Sequence, residues 1–296
     1  MKVTFHVGIA AQGRLALPTP ESAPGPPAPP LWQTGEMRSS GDTAQRGPAG
    51  RATRPGHYGI DGGNIVVPVL VLVEAALLGV TGWALRRRRP VIAGLAGAAG
   101  LGVPVVATGY LYSSGRGKRS TWTEILNELR LSGSEHILDV GCGRGAVLML
   151  AAHRVPEGRA VGADIWRWRD QSGNSRAAAE RNALLEGVAE RISLVEADAR
   201  SLPFASESFD ILVSSLTFSN IPTAEGREEA LSEAVRVLKG GGRMRIVDDR
   251  ADRYVDTLRQ AGCTEVTVRR LDWRTAYGIP GNQQILVSAQ KLPLES

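Results

Sequence analysis

Three aspartates, Asp139, Asp164 and Asp198, each stand at or just past the end of a short apolar run, and the first runs directly into the glycine-rich bend of "ILDVGCGRGA". Gly141, Gly143 and Gly145 allow a sharp turn and leave backbone N–H groups open to a ligand. Two ligand chemistries compete for that bend. Gly141, Gly143 and Ala146 satisfy a dinucleotide G-x-G-x-x-G/A fingerprint, with Asp164 as the acidic residue further on. Against this, a carboxylate at position 139 repels a pyrophosphate and suits a ligand that carries an ammonium group. A fourth apolar run, "RMRIVDD", closes on Asp248 and Asp249. Cys142 has no base beside it and is read as a small residue under the bend. It lies far from Cys263 with no ligand spacing, so neither a metal site nor a disulfide is expected.

These residues need a scaffold, and the chain from residue 120 onward supplies one by pattern. Strand-like runs are expected at residues 136–140, 159–164, 192–197, 209–214, 243–248, 265–271 and 284–290. Helical patterns lie between them. The clearest contains Leu231, Ala234, Val235 and Leu238 on one face, with Gly240 as the stop. Alternation of this kind predicts an α/β fold, a doubly wound, mostly parallel sheet of seven strands. The short link between the last two strands predicts an antiparallel pair. Thr121 and Glu124 read as a capping box that opens a helix with Trp122, Ile125, Leu126 and Leu129 on its apolar face, which sets the start of a domain over residues 120–296.

The region ahead of that domain differs in kind. Residues 1–60 are rich in Pro, Gly, Ser and Arg without any sustained period, and are expected to form a disordered tail. Residues 61–115 hold two apolar segments, 65–85 and 91–112, each long enough at 1.5 Å per residue to cross about 30 Å of hydrocarbon. Two membrane-associated helices are predicted, with Gly94, Ala98 and Gly102 as a small-residue packing face. The net charge of +5 is largely local, at Arg86 to Arg89 and at Arg116, Lys118 and Arg119, and these clusters flank the apolar segments without interleaved aromatics. Membrane flanking therefore explains them better than nucleic-acid binding, which is not expected. Orientation is contested, because Arg86 to Arg89 favour a cytoplasmic loop while Arg46, Arg51, Arg54, Arg116, Lys118 and Arg119 favour the other side. A re-entrant or interfacial segment in place of one span would let the arginine loop and the C-terminal domain share the cytoplasm.

From residue 120 to about 290 the chain resembles the class I S-adenosylmethionine-dependent methyltransferases. The resemblance rests on "ILDVGCGRG", "GADIW", "EADARSLPFASESFDILVSS" and "EAVRVLKGGGRMRI", in that order. It implies S-adenosylmethionine as cofactor, with Asp139, Gly141, Gly143 and Gly145 along its methionine part and Asp164 and Ile165 at its ribose. Asp198 and Ala199 would meet the adenine edge, and Ser214 and Ser215 would line the methyl-transfer cavity. Ser219 stands where relatives often carry a histidine, which leaves Ser219, Asp248 and Asp249 as the candidate catalytic groups, with a helix N-cap as the other reading of the aspartate pair. The insertion "RWRDQSGNSR" brings Trp166, Trp168, Gln171 and Asn174 within reach of the ribose or the acceptor. The expected acceptor is a small, lipid-like molecule, met at a membrane by a cytoplasmic domain. Two other readings stay open: a nicotinamide-dependent oxidoreductase, and a membrane-tethered S-adenosylmethionine-binding module without turnover.

Overall fold

The computed structural model describes residues 55–293, so most of the expected tail, residues 1–54, lies outside the described residues. One sheet organises the rest. Its strands are β1 (His136–Val140), β2 (Arg159–Asp164), β3 (Ile192–Glu196), β4 (Phe209–Ser215), β5 (Leu238–Asp248), β6 (Cys263–Arg270) and β7 (Ile285–Lys291), in the order β3-β2-β1-β4-β5-β7-β6. The pairs from β3 through β5 are parallel, and β7 runs antiparallel between β5 and β6, the orientation expected for the last two strands. β1 is central, which is why Ile137 and Leu138 are fully buried and its sequence reads as a continuous apolar run.

Helices cover both faces. α4 (Ala146–Ala152) follows the glycine bend and is buried at every position, packing Leu148 and Met149 with Ala160, Ala179 and Leu194. α5 (Arg176–Leu185) starts at Ser175, whose hydroxyl accepts from the Ala178 N–H. α6 (Ala224–Val237) starts at Thr223 in the same way, and α7 (Val255–Gln260) follows β5. α6 ends at Val237, before the expected stop at Gly240, because Leu238 is already extended and pairs with Phe209 of β4.

Two long helices precede the sheet. α1 (Gly63–Arg86) has 24 residues and α2 (Pro90–Tyr112) has 23, about 35 Å each, and both are long and apolar enough to cross a membrane. Leu72, Leu78, Val91, Leu95, Leu101 and Val105 project outward from them, exposed. The packing face differs from the expected one. Ala93, Ala96 and Gly100 are the buried residues of α2, whereas a Cβ added at Gly94 or Gly102 would meet nothing within 4 Å. The i, i+3, i+7 row at 93, 96 and 100 is the one turned towards α1, so Gly94, Ala98 and Gly102 face away.

The capping box is also overturned. α2 continues through a π-helical turn at Ser113–Gly117 straight into α3 (Lys118–Glu128), so Thr121 lies inside a helix and its hydroxyl is buried without a partner. An N-cap serves N–H groups that begin a helix, and here the turns upstream already satisfy them. The apolar stripe of α3 is as expected, with Trp122, Ile125, Leu126 and Leu129 packed on Ile137, Ile211 and Val213. The helix is fixed to the loop between β6 and β7 by a Tyr112–Trp273 ring stack at 5.2 Å and a Tyr277 N–H to Ser113 Oγ bond of 3.0 Å. At Gly109 an added Cβ would sit 2.5 Å from the Cα of Gly278, so backbone meets backbone there.

Candidate active site

Ligands of a doubly wound sheet settle at the carboxyl ends of the strands where the strand order reverses, which here is between β1 and β4. A cavity of about 860 Å3 opens there. Asp139, Gly141, Gly143, Asp164, Ile165, Asp198, Ala199, Ser215 and Ser219 line it together, although they come from several strand ends.

Asp139 forms the floor. It is 1% exposed, and neither carboxylate oxygen has a hydrogen-bond partner. Burial, reinforced by the charge of Asp164, pushes its pKa up to about 8, and the Lys118 ammonium and the nearby Leu148 N–H offset this only in part. A buried, unpartnered carboxylate facing a cavity is costly unless a cation or a donor enters to meet it. Lys118 lines the same cavity. The pair of opposite charges suits the zwitterionic end of an amino acid, with Asp139 for the ammonium and Lys118 for the carboxylate.

The bend beside Asp139 is held open by close packing. Gly141 has φ +73°, and a Cβ there would lie 1.9 Å from Thr217 Oγ1. Gly143 has φ +54°, with Gln171 Oε1 at 2.8 Å from the same added atom. Thr217 donates to the Val140 carbonyl at 2.9 Å, and the Arg144 N–H donates to Gln171 Oε1 at 2.9 Å, so the bend is clamped from both sides. Asp164 accepts from the Gly143 N–H at 2.7 Å and from the Trp166 N–H. Burial raises its pKa despite these bonds. Asn174 also lines the cavity, and its side-chain oxygen is a further buried polar atom without a partner. Asp198 is more open, and the Arg200 guanidinium on both its oxygens holds its carboxyl below the usual range.

Five expected residues are not brought to the cavity lining. Trp166 turns its indole N–H to the Gly143 carbonyl at 3.0 Å, and Trp168 is exposed. Gly145 precedes α4 with φ +84° and serves the turn itself. Ser214 is fully buried and donates to the Val140 carbonyl at 2.9 Å. Asp248 is fully buried, accepting from the Ser219 N–H, the Asp249 N–H and the Tyr254 hydroxyl, and burial raises its pKa. Its carboxylate is therefore occupied in holding the chain after β4, and Asp249 is the one of the pair that lines the cavity.

The sequence reading missed a cluster on the opposite wall. Asp61, just ahead of α1, pairs with Lys118 Nζ at 2.6 Å and accepts from Tyr277 Oη at 2.8 Å and Gln171 Nε2 at 3.3 Å. Its carbonyl accepts from the Tyr110 hydroxyl. Lys118 carried a signal that was available, since it stands one turn before Trp122 on the apolar face of α3, where a lysine has no packing reason to be. Asp61 and Tyr277 carried none, being 216 residues apart.

Residues 138–246 match the family model described as "Methyltransferase domain". The chain is 31% identical over 160 residues to "Methyltransferase GfsG" of Streptomyces halstedii, covering 53% of this chain and 54% of that protein. It is 31% identical over 133 residues to "Ubiquinone/menaquinone biosynthesis C-methyltransferase UbiE" of Dinoroseobacter shibae, covering 45% and 50%. The chain thus spans about half the length of these relatives. A solved S-adenosylmethionine-dependent methyltransferase from Aquifex aeolicus is similar at 18% identity and a TM-score of 0.46, over 57% of this chain and 88% of that one.

Proposed function

We propose that this chain, which belongs to the class I S-adenosylmethionine-dependent methyltransferases through its methyltransferase domain, transfers a methyl group to a small lipophilic acceptor at the cytoplasmic face of a membrane. The observation that carries the cofactor assignment is Asp139, a buried carboxylate with both oxygens unpartnered on the floor of the cavity. It calls for a cation, where a pyrophosphate would bring two more negative charges against it, so the nicotinamide reading loses to the ammonium-bearing one.

The cofactor supplies a sulfonium methyl that is already electrophilic. What remains for the chain is to hold, align and exclude water. Asp139 and Lys118 take the two charges of the methionine end, and the backbone of Gly141 and Gly143 borders it, although the bend's N–H groups are not left open as the sequence suggested: Gly141 donates to the Ala163 carbonyl and Gly143 to Asp164. Asp164 takes the ribose hydroxyls, and Asp198 with the Ala199 backbone takes the adenine edge. Asp249 and Ser219, in the wall past β5 and β4, are in reach of an acceptor, while Asp248 orients Ser219 from behind. Replacing Asp164 by Ala is expected to weaken S-adenosylmethionine binding by about 1.5–3 kcal/mol, the worth of charge-assisted hydrogen bonds, because it removes the ribose contact and releases the Gly143 N–H together. Calorimetry reads this directly, and an unchanged dissociation constant would take Asp164 out of the site.

The membrane assignment is supported by both ends of the helical pair. Asn64 Nδ2 donates to the Trp168 carbonyl at the domain end of α1, and Trp168 and Trp273 are exposed there, with Arg169 over the Trp168 ring. At the far end Arg89 lies over Trp83. From Asn64 to Trp83 is about 28 Å at 1.5 Å per residue, close to the thickness of hydrocarbon between two aromatic belts. S-adenosylmethionine is a charged cytosolic metabolite, so the domain faces the cytoplasm together with Arg116, Lys118 and Arg119, and Arg86 to Arg89 lie across the membrane. The relatives named for quinone biosynthesis support a lipophilic acceptor. Sealed vesicles test function and face together. Inside-out vesicles given methyl-labelled S-adenosylmethionine are expected to move label into the solvent-extractable fraction, and right-side-out vesicles are expected to do so only after permeabilisation. Label in neither preparation would contradict the activity, and label in intact right-side-out vesicles would contradict the orientation.

A further inference from the structure

The cavity does not end at the cofactor floor. It continues from Asp139 past Lys118 and Tyr277 to Gly62 just ahead of α1, Val66 and Leu70 of α1, and Val106 and Tyr110 of α2. Along α1 this is about 10 Å of helix, from residue 63 to residue 70. Val66, Leu70 and Val106 are partly buried, and the lining also includes Ile65, which is 48% exposed beside the outward-facing Val69 and Leu72. One space thus has a charged floor at the sheet and an apolar wall on two helices whose outer surfaces are apolar. Its volume, about 860 Å3, lies near the top of the roughly 300–1,000 Å3 found for a single ligand site, enough to hold a cofactor and part of a second molecule.

The polar groups are graded along this path. Asp139, Asp164 and Asp198 belong to the sheet side, Asp61, Lys118, Tyr277 and Asp249 stand at the middle, and beyond Tyr110 the α1 and α2 side chains named are aliphatic. An amphiphile matches this order when its reacting head lies beside the sulfonium methyl and its apolar tail runs out between the helices. A water-soluble acceptor has no use for the second half. We propose that the seam between α1 and α2 at Val66, Leu70 and Val106 is the tail-binding subsite of a membrane-resident acceptor, which enters sideways from the bilayer. This rests on the methyltransferase reading for the identity of the acceptor, and on the cavity alone for the route.

Photocrosslinking in native membranes separates the two. A photoreactive phenylalanine derivative, p-benzoylphenylalanine, replaces Val66 in one variant of the full chain and Val106 in a second, so that a folding defect in either does not decide the matter. Leu72, 68% exposed on the outer face, serves as the control position. Membranes are irradiated with and without prior S-adenosylmethionine, and adducts are identified by mass spectrometry. The expected result is a discrete lipophilic adduct at 66 and 106 that is absent at 72 and becomes heavier by one methylene after S-adenosylmethionine. A discrete adduct of unchanged mass would uphold the tail subsite and contradict the methyl-acceptor reading. The same phospholipid adducts at 66, 106 and 72 would overturn the subsite.

Discussion

A chain truncated to begin at Ser120 is expected to lose cofactor affinity by at least tenfold and to aggregate. The cut falls inside the continuous helix from Pro90 to Glu128. It removes Lys118, the only cation in direct electrostatic contact with Asp139 among the described residues, a loss of at least about 1.5 kcal/mol if Lys118 meets the cofactor carboxylate. It also strips Tyr112 from Trp273, Ser113 from Tyr277 and Gly109 from Gly278, leaving an apolar, backbone-rich surface open to water. A chain beginning at residue 55 and kept in detergent retains all of these contacts. Gel filtration and calorimetry on the two compare them directly. Full solubility and affinity in the shorter chain would mean that α1 and α2 are a tether and take no part in the site.

The second large effect is at Asp139. Asp139→Asn keeps the shape and removes the charge, and is expected to weaken S-adenosylmethionine binding by about 1.5–3 kcal/mol, roughly 10- to 150-fold in the dissociation constant. The pH dependence has a sign. The folded-state pKa is raised to about 8, so the unliganded protein holds a proton there that the unfolded chain releases near the ordinary carboxylate value. The stability this contributes is complete in acid, falls as pH rises from the unfolded value, and is gone above about 8. The ammonium-bearing ligand needs the ionised form, so affinity is expected to strengthen up to about pH 8, until the ligand's own amine, near roughly 8, begins to lose its proton. Asp139→Asn should flatten that rise. It should also melt higher than wild type at alkaline pH without ligand, because an unpaired buried charge is gone.

The strands were legible because central parallel strands bury both faces and announce themselves as apolar runs. β1 and β2 fall on the expected residues, β3, β4, β6 and β7 differ by one or two residues at their ends, and β5 starts five residues early, at Leu238, where it already pairs with Phe209. The glycine bend, Asp139 and Asp164 were legible because local sequence alone dictates a turn at a strand end, and Gln171 and Asn174 were legible as polar residues in an inserted loop. What failed was local grammar read without its neighbours. Thr121 and Glu124 spell a helix start, but the helix was already running when it reached them. Gly94, Ala98 and Gly102 spell a packing face, but a helix rich in small residues offers several such rows, and contact with α1 selected another. Asp248 was a reasonable base by position, yet its neighbours Ser219 and Tyr254 consume its oxygens. The wall built from Asp61, Lys118 and Tyr277 could not be read at all from spacing, because three distant segments meet only after the hairpin has docked.

The cavity at the end of β1 is built for a ligand that brings a positive charge to Asp139. Parallel calorimetric titrations of S-adenosylmethionine and NAD into the full chain in detergent, at pH 6 and pH 8, with wild type and Asp139→Asn, test this. Wild type is expected to bind S-adenosylmethionine more tightly at pH 8 than at pH 6, the variant to bind it weakly at both, and NAD to produce no saturable heat. Tight binding of NAD, or equal affinity for S-adenosylmethionine in wild type and Asp139→Asn, would contradict it.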